Sequence, residues 1–126
     1  MHSMKRLVLV GSSLVAALVM AGCGGTSSNY GGAPACSAAT ATATTSVSIQ
    51  ALAFTPNCIK VTAGSTVTFT NNDTVAHTVT ADDGTYNGAL APTGATKVYT
   101  HLFSAAGTSS YHCTIHPGMT GTVFVQ

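Results

Sequence analysis

The sequence contains no tryptophan and no glutamate, and only seven formally charged side chains in 126 residues. Two of its four cations, Lys5 and Arg6, lie within the first six residues, and beyond residue 22 only Lys60 and Lys97 stand against Asp73, Asp82 and Asp83. No basic face can form to neutralise phosphates, so nucleic-acid binding is excluded. With no glutamate, no nucleophile and base pair and no second metal site, one small domain is not expected to be an enzyme. The low charge, set against a 45% hydrophobic content, is also the reverse of the composition that keeps chains unfolded. The length allows one small domain and not two.

What is present begins with an address. Lys5 and Arg6 precede a hydrophobic stretch from Leu7 to Met20, followed by the small residues Ala21 and Gly22, so residues 1–22 read as a secretory signal peptide. The stretch is shorter than the roughly 20 apolar residues a spanning helix requires. The run Val19-Met20-Ala21-Gly22-Cys23 resembles a bacterial lipobox, which implies that Cys23 is acylated and becomes the mature N-terminus. The alternative is ordinary cleavage that leaves Cys23 an incidental thiol. Acylation supplies the membrane anchoring that a cleaved segment cannot, and places the protein in the cell envelope or periplasm, lipid-anchored to a membrane. Met4 is an alternative start, which removes His2 as a ligand. Residues 23–45 are rich in Gly, Ser, Thr and Ala, with Tyr30 almost the only large side chain, and are expected to be a flexible tether. The folded domain is therefore expected over 46–126.

That domain reads as all-β. Val47, Ile49 and Phe54 give one alternating apolar face, Ile59 and Val61 a second, Val67 and Phe69 a third, and Val75, His77 and Val79 a fourth. Turn chemistry separates them at Thr55-Pro56-Asn57, Ala63-Gly64-Ser65, Asn71-Asn72-Asp73 and Asp82-Asp83-Gly84. After a loop from Gly84 to Gly94 come Lys97 to Phe103, Gly107 to Cys113 and Gly121 to Val125. Seven to eight short strands at this density predict a β-sandwich. The 21 threonines fall mostly in or beside these strands, where β-branching favours extended backbone.

The chemistry sits near the end of the chain. Cys113, His116 and Met119 follow one another at three-residue intervals where a strand gives way to a turn. Pro117 biases His116 away from helix, and Gly118 can take the angles that bring Met119 back. A fourth ligand is expected from His77, which shares the parity of Val79 and so points into the sandwich. Two histidines, one cysteine and a weak axial methionine are the donor set of a blue-copper centre.

On these residues, the chain from about Ser46 to Gln126 resembles a cupredoxin of the plastocyanin and amicyanin branch. His77 comes after a strand, Phe103, Gly107 and Tyr111 keep the spacing, and Cys113-x2-His116-x2-Met119 precedes Gly121 and a closing strand. The resemblance implies a cupredoxin-like Greek-key β-sandwich, one type 1 copper ion held by His77, Cys113, His116 and Met119, and single-electron transport between redox proteins. Donor and acceptor are expected to dock transiently near His116, on an uncharged rim of Pro117, Gly118 and the segment Ala89 to Pro92. Thr78 departs from the pattern, since asparagine commonly follows the first ligand histidine. The competing readings are a copper storage or delivery protein with the same ligands, and a structural sandwich with adventitious zinc.

With Cys23 lipidated, three cysteines remain, and copper ligation by Cys113 resolves the odd number. Cys36 and Cys58 are then candidates for a disulfide pinning the tether to the sandwich, the alternative being two unpaired thiols. His112 alternates with Cys113 and is expected at the surface. His101 lies where both parities carry apolar groups, which leaves its facing open; a core or rim position is favoured over ligation. Asp82 and Asp83 are read as turn residues and not as a cation site.

Overall fold

The structure, a computed structural model, describes residues 35–126. The expected signal peptide and Cys23 lie outside the described residues. Ten strands form: β1 (Thr42–Ala43), β2 (Ser46–Gln50), β3 (Ala53–Thr55), β4 (Cys58–Val61), β5 (Ser65–Asn71), β6 (His77–Ala81), β7 (Asn87–Leu90), β8 (Val98–Phe103), β9 (Gly107–His112) and β10 (Thr120–Val125). A 3-10 turn at Ala95–Lys97 is the one helical element among the described residues. One sheet runs β1-β4-β10-β9-β6-β7 and the other β3-β2-β5-β8. Parallel pairing of β2 with β5 and of β4 with β10 requires the chain to cross between sheets, as Greek-key sandwiches do.

Period-two alternation builds the core. In β5, Val67, Phe69 and Asn71 point inward, and in β6, His77, Val79 and Ala81 do. Ile49, Ile59, Val67, Phe69, Val79, Tyr111 and Val123 are all fully enclosed, each such side chain contributing roughly 1.5–3 kcal/mol on leaving water. Tyr111 is the hub, meeting Phe54 edge-on at 4.8 Å and Phe69 at 5.4 Å between ring centroids. Its ring lies directly over Gly121, its register partner on β10, where an added Cβ would come within 2.3 Å of the ring. Only glycine lets β10 carry that ring.

Three features differ from the sequence expectation. Val47, Ile49 and Phe54 belong to two strands, because Ala51 and Leu52 turn the chain back and pair β2 antiparallel with β3. The expected loop after Gly84 contains β7, whose small residues Asn87-Gly88-Ala89 carry little strand signal. Val75 does not share the inward face of His77: it is 43% exposed, because β6 begins only at His77 and the parity argument does not reach back to it.

The sandwich also begins before residue 46. Ala41 is buried, Thr42 and Ala43 pair in parallel with Ile59 and Lys60, and Cys36 is bonded to Cys58. Small Ala and Thr side chains bury little area, so backbone pairing and the disulfide, and not apolar packing, hold this segment.

Candidate metal centre

Strand ends position the site. Pairing of Thr80 with His112 and Ala81 with Tyr111 sets β6 beside β9, which brings His77, the first residue of β6, to Cys113, the residue after β9. The hairpin register of β9 and β10 continues one step further through the Cys113 N–H, which donates to the Met119 carbonyl at 3.0 Å. Between them Gly118 sits at φ 86°, a left-handed angle that glycine takes without cost, and the Met119 N–H closes on the His116 carbonyl at 3.3 Å.

The Cys113 Sγ stands 3.8 Å from His77 Nδ1 and 3.7 Å from His116 Nδ1, and the two nitrogens are 3.2 Å apart. All three donor atoms lie within 4.8 Å of one another. His77, Cys113 and Met119 are buried, while His116 is half-buried and reaches the surface. Two imidazole nitrogens and a sulfur facing one point are electron-rich, and a cation among them satisfies all three. The soft thiolate with two imidazoles and a buried thioether fits copper.

The thiolate is supported by its surroundings. Burial by itself raises the Cys113 thiol, but the Thr78 N–H at 3.4 Å, the His77 imidazole and the N–H groups of Ile115 and His116 outweigh it and bring the thiol down from 9.0 to about 6. Thr78 supplies the loop linkage despite not being asparagine: its hydroxyl accepts the Thr114 N–H at 2.8 Å and meets the Thr114 hydroxyl at 3.1 Å.

Two residues read only as turn formers prove to organise the site. Asn71 is fully buried; its Nδ2 donates to the carbonyls of Val75 at 2.8 Å and Ala91 at 3.1 Å, and its Oδ1 accepts the Asp73 N–H at 2.9 Å. Asp73 then accepts the Nε2–H of His77 at 2.9 Å. The Leu52 N–H foremost, then the Ala51 N–H and the His77 imidazole, hold the Asp73 carboxyl below its usual range against partial desolvation. The sequence carries no signal for this contact, because a four-residue spacing brings side chains together on a helix and residues 72–76 are an irregular turn between β5 and β6.

The remaining histidines are elsewhere. His101 points inward, stacked on Tyr86 at 4.1 Å and edge-on to Phe103 at 4.8 Å, and burial lowers its basicity. His112 stands at the surface, where its Nδ1 meets Asp82 at 2.6 Å. Asp83 caps its own turn by accepting from the N–H and hydroxyl of Thr85. Beside His77 an open groove of about 340 Å³ is walled by Ala76, Ala89, Leu90, Ala91 and Ile115, without a charged side chain.

A two-sheet sandwich whose strand ends gather two histidines, a cysteine and a methionine has the architecture of a cupredoxin. The family described as copper binding proteins, plastocyanin/azurin family, matches residues 41–126, and the chain belongs to it; its members bind copper. The chain is 34% identical to amicyanin-alpha of Methylorubrum extorquens over 85 residues, covering 65% of this chain and 71% of the relative. It is 36% identical to a plastocyanin of Scenedesmus fuscus over 87 residues, covering 60% and 89%. Among solved structures, a purple cupredoxin from Nitrosopumilus maritimus superposes with a TM-score of 0.56 at 26% identity, covering 64% of this chain and 98% of that one.

Proposed function

We propose that the protein is a type 1 blue-copper electron carrier of the cell envelope, in which His77, Cys113 and His116 would be the strong ligands and Met119 a weak fourth donor. The observation that carries this reading is the convergence of the Cys113 sulfur and two imidazole Nδ1 atoms within 4.8 Å on the ends of hydrogen-bonded strands. Bound copper supplies a one-electron couple between Cu(II) and Cu(I). The residues do the rest. Cys113 offers a thiolate at neutral pH, Thr78 and Thr114 fasten the ligand loop to β6, and Met119, buried on that loop, would add a weak thioether donor. A scaffold held this way gives little room for ligand movement, which is what rapid electron exchange needs.

His116 is the half-buried member of the set and provides the route to solvent. Around it Pro117, Gly118 and Ile115 are exposed, and the uncharged groove by Ala89 and Ala91 adjoins His77. Redox donor and acceptor dock there transiently, with a rate that depends weakly on salt because the rim carries no charge. Cys23 carries the lipid that holds the protein at a membrane, through the chain between it and Cys36. The protein transports electrons and does not catalyse a reaction of its own.

Redox titration of the copper-loaded chain tests this. The expected result is one copper and one reversible electron per chain, with copper retained against a chelator through repeated cycles. Copper that leaves to a chelator within minutes and shows no reversible electron uptake indicates storage or delivery instead.

A further inference from the structure

Asp73 joins two parts of the molecule that lie far apart in sequence. Ala51 and Leu52, at the turn between β2 and β3, have φ of 52° and 58°, left-handed angles that side chains other than glycine disfavour. Both of their N–H groups point at one carboxylate: Ala51 donates to Asp73 Oδ1 at 2.7 Å and Leu52 to Oδ2 at 2.9 Å. The same Oδ2 takes His77 Nε2 at 2.9 Å, and the Asp73 N–H is held by the buried Asn71. The carboxylate is thus fixed before it meets the imidazole, with its side chain only 15% exposed.

We propose that Asp73 is a positioning residue for the metal centre: clamped by the Ala51–Leu52 turn, its carboxylate accepts the hydrogen bond of the His77 Nε2–H and so commits Nδ1 to the donor cluster. This deepens the copper reading above and rests on it. A neutral imidazole has one N–H and one lone pair, and the partner of one nitrogen decides the role of the other. A carboxylate can only accept, so Nε2 carries the proton and Nδ1 faces Cys113 and His116 with its lone pair. The negative charge also makes the imidazole a stronger donor and favours the more highly charged state of a bound metal.

The test separates positioning from mere anchoring of the turn. Ala51→Gly with Leu52→Gly relieves the left-handed angles, and in this background the turn no longer depends on the carboxylate. Asp73→Ala is then added, and the full chain is compared with its background by three readouts. These are the ring ¹⁵N shifts of His77 without metal, copper affinity by competition, and reduction potential. The glycine background is expected to keep a single Nε2–H tautomer. Adding Asp73→Ala is expected to give mixed tautomers, copper affinity weaker by roughly 10–100-fold and a higher potential. Asp73→Asn, which keeps an acceptor without the charge, is expected to retain the tautomer and still raise the potential, and carries the test if the alanine variant does not fold. Tautomer, affinity and potential all unchanged from the background would overturn the proposal and leave Asp73 an anchor of the turn. A wild type that binds no copper defeats the copper reading separately, because the tautomer is read without metal.

Discussion

The Thr78 hydroxyl accepts the backbone N–H of Thr114 at 2.8 Å, while the Thr78 N–H donates to the sulfur of Cys113 at 3.4 Å. One residue therefore binds the ligand loop twice, once at the donor atom and once at the backbone just after it. The hydroxyl supplies this link at the position where the family commonly carries asparagine, and the β-branched side chain suits β6, of which Thr78 is the second residue.

Thr78→Val keeps the shape and the N–H but removes the hydroxyl. The loss of its hydrogen bonds with the Thr114 N–H, the Thr114 hydroxyl and the Thr80 hydroxyl is expected to cost roughly 1–3 kcal/mol and to speed copper release to a chelator several-fold, with Thr78→Asn closer to wild type. Equal release rates in all three chains would show that the loop does not depend on this bridge.

The ligand cluster is legible in the sequence to the extent that it is local. Cys113, His116 and Met119 lie on one loop with turn residues among them, and His77 declares its inward face by the parity of Val79. Partners set by tertiary contact are not legible. Asp73 meets Ala51 and Leu52 from more than 20 residues away, and nothing in Ala-Leu signals a turn, since left-handed angles normally call for glycine or asparagine. The facing of His101 was open for a related reason: both parities of β8 carry large apolar groups, and only the sheet decides that Tyr99, His101 and Phe103 turn inward while Val98 and Leu102 stay exposed.

The disulfide between Cys36 and Cys58 spans a separation of 22 residues and holds a segment with little apolar burial. Replacing both with serine is expected to lower stability by about 3 kcal/mol, read as a drop in the denaturant midpoint, with the visible spectrum of the copper form kept. An unchanged midpoint would mean that strand pairing alone secures residues 36–45.

Gly121→Ala drives a methyl into the Tyr111 ring. Overpacking of this kind typically costs 1–3 kcal/mol or more, and here it presses on β9 two residues before Cys113. A lower melting temperature together with a shifted copper band is expected; wild-type values for both would show that the ring can move aside.

Burial lowers the His101 imidazole below its ordinary 6.5, so the unfolded chain takes up the proton more readily than the folded one. This group's contribution is complete above about pH 6.5 and is lost as pH falls toward the folded value. His101→Phe removes that term while keeping an aromatic ring against Tyr86. Between pH 7.5 and 5 the wild type is expected to lose more stability than the variant in denaturant titrations, and parallel profiles would contradict the assignment.

The central claim is that Cys113 and two histidines hold copper in a type 1 site, and visible absorption of the copper-loaded chain tests it most directly. The thiolate bond is the source of an intense visible band, so the wild type is predicted to be strongly coloured. Cys113→Ser is predicted to lose the band, and His101→Ala and His112→Ala to keep it. A folded, copper-loaded wild type without that band, or one whose band disappears with His101 or His112, would contradict the account.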